Sequence, residues 1–115
     1  MYKYNLVKLA NGIGFRVSFD MKAVLNDKKI VNIEIEKNEN LILENSDLFL
    51  QTGIYYFFEK FKKGFDVEIN NIRLMPVDTT NMLLMYAVIE SLTVALDFKI
   101  EGLCITEKGL FSIPK

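Results

Sequence analysis

An Asn-Gly pair near the start of the chain limits the possible folds more than any other short segment. Asn11 and Gly12 both tolerate positive φ, which the two central residues of a type I′ hairpin turn require. After this pair, apolar and polar residues alternate through Phe15–Met21, and a period of two predicts a strand with one buried face and one wet face. The chain is therefore expected to begin with a hairpin of Tyr2–Ala10 and Ile13–Leu25.

A third strand is predicted after a turn at Asn26-Asp27. Apolar residues again take every second position from Val31 to Glu36, with carboxylates and an amide between them. We expect the three strands to form an antiparallel meander. Leu41–Leu43 is compatible with a short fourth strand.

The segment Asp47–Lys63 predicts an amphipathic helix. Ser46 can cap free backbone N–H groups, and Asp47 complements the positive end of the helix dipole. Gly64 then fits the position just after the helix. Apolar residues recur at helical spacing, and we interpret the stripe as core: Leu50, Ile54, Phe57, Phe58 and Phe61.

The next strand, Phe65–Met75, changes its alternation halfway. Phe65, Val67 and Ile69 share one parity, whereas the later apolar residues share the other. A β-bulge at Asn70-Asn71 would return all of them to one face of the sheet.

The last helix, Asn81–Leu96, is apolar on most of its sides. Asp78 is expected to cap it, with Val77 packing on Met82 one turn inside. Such a helix must be buried on most sides, either between the sheet and the first helix or against another subunit. Internal burial is the favoured interpretation, and a homo-oligomer formed through this helix is the alternative.

The segment Phe98–Ile113 predicts two short strands around Glu107-Lys108-Gly109. The element order is then β-β-β-α-β-α-β-β within one domain, residues 1–115. We expect an α+β two-layer sandwich in which two helices cover one face of a single, mostly antiparallel sheet.

The composition excludes several kinds of chemistry. The chain has no histidine and one cysteine, so His-based triads, Cys-x-x-Cys redox motifs and Cys/His zinc sites are excluded within one chain. We expect no cofactor and no metal, and interpret Cys104 as a small core residue because it lies in an apolar run. The candidate acid–base residues are mostly at wet strand positions, at helix ends or beside lysines: Glu34, Glu36, Glu44, Asp47, Glu59, Asp66, Glu68, Asp78 and Glu90.

Glu90 interrupts an apolar helix, and a buried carboxylate there could mark a site. The favoured interpretation is that Glu90 shares a narrow exposed strip with Asp97. No enzymatic activity is therefore predicted.

Net charge and hydropathy limit the classes of partner and the cellular location that the sequence predicts. The net charge is −1 and the pI is near 5.5, unlike a generic nucleic-acid binder. A local basic patch at Lys60, Lys62 and Lys63 is possible, although such runs usually solvate a helix end. No apolar run approaches the ~18 residues that span a membrane, and the first residues lack a signal-peptide core. We therefore expect a cytoplasmic protein with no membrane partner.

Five features of the chain together resemble domain IV of the elongation factor G family. In chain order they are the hairpin Asn11-Gly12-Ile13-Gly14, the strand Phe15–Met21, the helix Asp47–Lys63, the cap Pro76-Val77-Asp78-Thr79-Thr80 and the helix Asn81–Leu96. The resemblance covers Tyr2 to Asp97 and implies the ribosomal protein S5 domain 2-like fold. It also implies a binding role for two loop tips, which would here be formed by Asn11, Gly12, Ile13 and Gly14 and by Met75, Pro76, Val77 and Asp78.

Three departures from the family leave the role open. The hairpin lacks the usual basic residue, Met75-Pro76 stands where bacterial members commonly have a histidine, and the GTPase domain is missing. The resemblance predicts a non-enzymatic binding module whose partner is RNA, the ribosome or another protein. The alternative is a homo-oligomeric interaction or adaptor protein, such as a small immunity-type partner, without a ribosomal role.

Overall fold

A computed structural model describes residues 2–10, 13–36, 46–74, 81–105 and 111–115. These residues form six strands and two helices in the order β-β-β-α-β-α-β-β, which confirms the expected α+β order. The elements are β1 (Tyr2–Ala10), β2 (Ile13–Leu25), β3 (Val31–Ile35), α1 (Ser46–Phe61), β4 (Phe65–Leu74), α2 (Asn81–Ala95), β5 (Cys104–Ile105) and β6 (Phe111–Ser112).

Four strands form the main sheet in the order β1-β2-β4-β3. The β1–β2 pair is an antiparallel hairpin whose last pair, Ala10 and Ile13, leaves a two-residue connection as expected. The predicted three-strand meander is wrong, because β4 lies between β2 and β3 and pairs with β3 in parallel. A helix separates β3 from β4 in sequence, and a helical crossover is the usual connection between parallel neighbours. The central place suits the ten-residue β4 better than the five-residue β3.

Both helices pack on one face of this sheet, as the sequence predicts. Alternate residues of the strands point into the core, among them Val17, Met21 and Ile69, which are fully buried. Eight residues of α2 are buried between the sheet, α1 and the chain that follows: Leu83, Leu84, Tyr86, Ala87, Val88, Ile89, Ser91 and Leu92. The apolar sides of α2 are therefore mostly covered within the chain, in agreement with the internal-burial interpretation.

The two helices approach each other closely at Gly53. A Cβ atom on this residue would lie 2.5 Å from Cγ1 of Val88 and 3.0 Å from the carbonyl oxygen of Met85. Carbon atoms normally pack at about 3.5–4.0 Å. Glycine is thus what allows α1 and α2 to contact at this distance.

The helix α1 ends two residues earlier than the sequence suggests. Lys62 has a φ of 65° and its N–H donates to the Phe58 carbonyl oxygen at 2.8 Å, so Lys62 occupies the left-handed capping position predicted for Gly64. Gly64 has another role: a Cβ atom there would lie 2.2 Å from Oδ1 of Asn26 and 2.8 Å from the Ile30 nitrogen. The β2–β3 connection can pass this point only because the side chain is absent.

The C-terminal residues complete the cover over α2. Leu103 and Ile105 are half-buried against the core, and the Tyr56 hydroxyl donates a hydrogen bond to the Pro114 carbonyl oxygen. The strands β5 and β6 pair as a separate two-stranded sheet. Cys104 is exposed, so its predicted place in the core is wrong. The period of two in a strand turns Cys104 outward when its two neighbours turn inward.

Candidate functional site

The face of the main sheet opposite the helices is the polar face. Its side chains are the outward set of the alternating strands: Lys3, Asn5, Arg16, Ser18, Asp20, Lys22, Val24, Asn32, Glu34, Asp66, Glu68, Asn71 and Arg73. On the part of this face that the structure describes, a basic groove and an acidic groove are both shallow and differ in charge.

The basic groove, of about 380 Å³, is lined by three cations, three neutral polar side chains and one carboxylate: Lys3, Arg16, Arg73, Asn5, Ser18, Asn71 and Asp20. The strand register explains why they meet. Ser18 on β2 lies beside Asn5 of β1 on one side and beside Arg73 of β4 on the other. Three positive side chains from three strands therefore share one small surface.

A β-bulge at Asn71 positions one of these cations, and it confirms the bulge predicted at Asn70-Asn71. The pairing slips there, so that Asp20 lies opposite Asn70 but Ser18 lies opposite Arg73. Asn71 has a φ of 56°, and its backbone N–H donates to Oε2 of Glu36 at 2.9 Å. Without the extra residue, Arg73 would share the inward parity of Ile69. The bulge instead places Ile72 in the core and Arg73 on the polar face.

Hydrogen bonds fix the wall of the basic groove. The Asn71 side chain donates from Nδ2 to Oδ2 of Asp20 at 2.7 Å. Asp20 is the one carboxylate of the groove, and its register partner on β1 is Lys3. The carboxylate is thus held by the bulge residue at the edge of the cationic surface.

The acidic groove, of about 500 Å³, occupies the opposite end of the polar face, around Glu34, Glu68 and Asp66. Glu34 and Glu68 lie directly opposite each other on neighbouring strands. Oδ1 of Asp66 accepts hydrogen bonds from Nδ2 of Asn32 at 2.7 Å and of Asn26 at 2.9 Å. These bonds favour the ionised form, so the pKa of Asp66 is lowered.

Among the residues that the structure describes, no group of carboxylates or thiols is arranged to hold a metal ion. Neither of the two described helices is long and apolar enough to cross a membrane.

Glu90 is a residue of α2, and the hydroxyl groups of two tyrosines hold its carboxylate. The Tyr4 hydroxyl donates to Oε1 at 2.9 Å, and the Tyr86 hydroxyl donates to Oε2. Burial and the neighbouring carboxylate raise the pKa of both tyrosines. Glu90 is half-buried and Asp97 is exposed, so the expected shared strip is wrong. Glu90 lines neither groove, and its contacts tie β1 to α2.

Only some of the sequence-predicted site residues belong to the part of the chain that the structure describes. Ile13 and Gly14 are the first residues of β2, and Asn11, Gly12, Met75, Pro76, Val77 and Asp78 lie outside the described residues. Lys60, Lys62 and Lys63 lie at the end of α1, next to the start of β4 and the end of β2, at the opposite end of β2 from Ile13 and Gly14. Nζ of Lys60 is 5.7 Å from the Tyr56 ring centroid, and Nζ of Lys63 is 5.7 Å from that of Phe61.

Sequence reasoning did not single out Lys3, Arg16 and Arg73. A signal was present for each: the alternation of β1 and β2 assigns the first two to the wet face, and the parity slip assigns Arg73 to the same face. What was missing was the strand order, which makes β1, β2 and β4 neighbours.

The fold and surface define a two-layer α+β protein whose sheet presents an open, charge-divided polar face. No family model matches the chain, and no curated protein matches it. Its functional interpretation therefore depends on the geometry of this face.

Proposed function

We propose that this chain is a non-enzymatic binding module resembling translation elongation factor domain IV, with structured RNA, such as ribosomal RNA, as its partner. The basic groove is the observation that carries the proposal. Three cations within one groove can neutralise phosphates even though the net charge is −1, because binding responds to the local potential.

The position of the groove within the sheet adds support. The strand β2 begins at Ile13, and β4 ends at Leu74, whose register partner on β2 is Val17. Ile13 and Gly14, which the resemblance implicates, thus lie at the same end of the sheet as the last residue of β4. Arg16 and Arg73 are the cations of the basic groove nearest to that end.

Two of the described acidic groups, Asp66 and Glu90, also favour a binding role over catalysis. Asp66 accepts two amide hydrogen bonds that keep it ionised, and Glu90 accepts two tyrosine hydroxyls beneath the sheet. A general base needs access to a substrate proton. Glu90 lines neither groove, which supports a structural role for it.

A homo-oligomeric adaptor formed through Asn81–Leu96 is the second candidate. Its support is the exposure of Met82 and Val94 on α2. These residues lie at opposite ends of the helix, and the apolar side chains between them are mostly buried within the chain. Light scattering of the protein beside an M82S/V94S variant tests this candidate: a dimer that the variant abolishes would favour it over RNA binding.

Co-sedimentation with ribosomes tests the proposed function. The wild type is expected to pellet with ribosomes at low salt and to be released as salt rises, because phosphate contacts release counterions. The triple variant K3Q/R16Q/R73Q should remain in the supernatant. K22Q removes a charge from the acidic end of the same face and should pellet like the wild type. Equal pelleting of the triple variant would refute the assignment of the groove.

A further inference from the structure

We infer that the basic groove binds the sugar-phosphate backbone of double-helical RNA, independently of base sequence, in preference to single strands. This inference rests on the proposed function and specifies the form of its ligand. The chemistry of the groove lining carries it.

The first argument is the absence of exposed rings on the described polar face. Proteins that hold single-stranded nucleic acid stack the bases on aromatic side chains. Tyr4 and Phe19 border the basic groove, but only 4% and 2% of their surfaces are exposed, because both side chains belong to the core on the helix side of the sheet. Their rings also stack on each other at a centroid distance of 5.0 Å. An unpaired base would therefore meet charges and amides, without a ring to stack on.

The second argument is the spacing of the cations. Arg16 and Arg73 are diagonal neighbours on adjacent strands, and Lys3 lies one strand further across. With strands about 4.8 Å apart and residues about 3.3 Å apart along them, the Cα positions are separated by roughly 8 Å for Arg16 and Arg73, about 12 Å for Arg73 and Lys3, and about 14 Å for Arg16 and Lys3. Phosphates follow one another at about 3.4 Å per strand along a duplex axis, so each of the three cations can meet a different phosphate.

The third argument is the set of neutral side chains. Asn5, Ser18 and Asn71 bring amide and hydroxyl groups between the cations. Such groups both donate and accept hydrogen bonds, as a ribose 2′-hydroxyl does, and RNA duplexes present these hydroxyls along a wide, shallow minor groove. Phosphate and 2′-hydroxyl contacts carry no base sequence. The lining of the basic groove is therefore suited to the phosphates and 2′-hydroxyls of an RNA duplex, whatever its base sequence.

The acidic groove limits the footprint. Glu34, Glu68 and Asp66 repel phosphates from the other end of the same face. A duplex can consequently contact the basic end alone, which fixes the number of neutralised phosphates at about three. With a slope of about −0.9 per phosphate, the association constant should fall about 40-fold between 50 and 200 mM salt.

Fluorescence anisotropy with four labelled probes tests the inference: a 16-base-pair RNA duplex, a duplex of unrelated sequence, one isolated RNA strand without self-complementarity, and a DNA duplex. The two RNA duplexes should bind equally, with the DNA duplex and the single strand at least several-fold weaker. R73Q should reduce the salt slope by about one. K22Q should leave the slope unchanged, since it removes the same charge from the acidic end. E34Q/E68Q should bind more tightly, and relief of like charges on paired strands should keep it folded.

Any other result would refute one step of the inference. Equal or tighter binding of the single strand would refute duplex recognition, and equal binding of the DNA duplex would refute the role of the neutral side chains. A K22Q effect as large as that of R73Q would refute the groove. If ribosomes pellet the protein through the groove while no duplex binds, this inference fails and the proposed function stands; if neither binds, both fail.

Discussion

The substitution G53A tests how tightly the two helices are packed. A Cβ atom at this position would be 2.5 Å from Cγ1 of Val88, about 1 Å closer than carbon atoms normally pack. Val88 is fully buried, and a valine in a helix strongly prefers one χ1 rotamer, so it cannot easily turn away. The Met85 carbonyl oxygen at 3.0 Å belongs to the backbone of α2 and yields only if the helix moves.

Two opposing contributions set the size of the effect. Overpacking of a core costs about 1–3 kcal/mol, whereas replacing glycine by alanine inside a helix contributes about 0.5–1 kcal/mol of stability. The free energy of unfolding should therefore fall by about 1–2 kcal/mol. For a chain of 115 residues, this corresponds to a decrease in Tm of roughly 4–8 °C.

Urea unfolding followed by circular dichroism measures the change, with V88A as the second arm of a double-mutant cycle. V88A alone should destabilise by leaving a cavity. G53A introduced into V88A should be neutral or stabilising, because the new methyl group fills that cavity. Q51A, at an exposed position on α1, is the control and should change stability by less than about 0.5 kcal/mol. A higher Tm for G53A in the wild-type background would show that the helices are not in contact here.

Three further outcomes are expected. N71A should lower the free energy of unfolding by about 1–2 kcal/mol, whereas N71G should not, because Asn71 has a φ of 56°; equal losses in chemical denaturation would contradict this. D97G should raise it by about 1 kcal/mol, since Asp97 has a φ of 51° at the end of α2 and the Phe98 N–H donates to the Thr93 carbonyl oxygen; a lower Tm would refute this. Burial raises the pKa of Tyr4 and Tyr86 in the folded protein, so the stability that these neutral tyrosines contribute is fully present below pH 10 and is lost as the pH rises above it. Y4F should therefore reduce the decrease in unfolding free energy above pH 10, and an unchanged pH dependence would contradict the reasoning.

The helix α2 shows where local patterns stop being informative. Ser91 is polar, yet it is fully buried, because its hydroxyl donates to the Val88 carbonyl oxygen of its own helix at 2.8 Å. Met82 is apolar, yet 45% of its surface is exposed. A helix that is covered on several sides has no single apolar stripe from which its orientation can be read.

The candidate site shows the same limit. Alternation along β2 identifies Arg16 and Ser18 as outward residues, and the slip at Asn70-Asn71 identifies Arg73. Nothing local says that β4 lies beside β2, and without that order the three strands share no surface. Glu90 is a further case, because its two tyrosine partners come from its own helix and from a strand 86 residues away in sequence.

The amino-acid sequence by itself determined the hairpin, the bulge, both helices and the two-layer arrangement, because turns, caps and periodicity act between residues that are near in the chain. Only the tertiary structure decided which strands are neighbours and why glycine is required at positions 53 and 64. It also decided how positive and negative charges divide the polar face. Those features depend on distances between residues far apart in sequence. Such distances are set when the whole core packs, and no single segment encodes them.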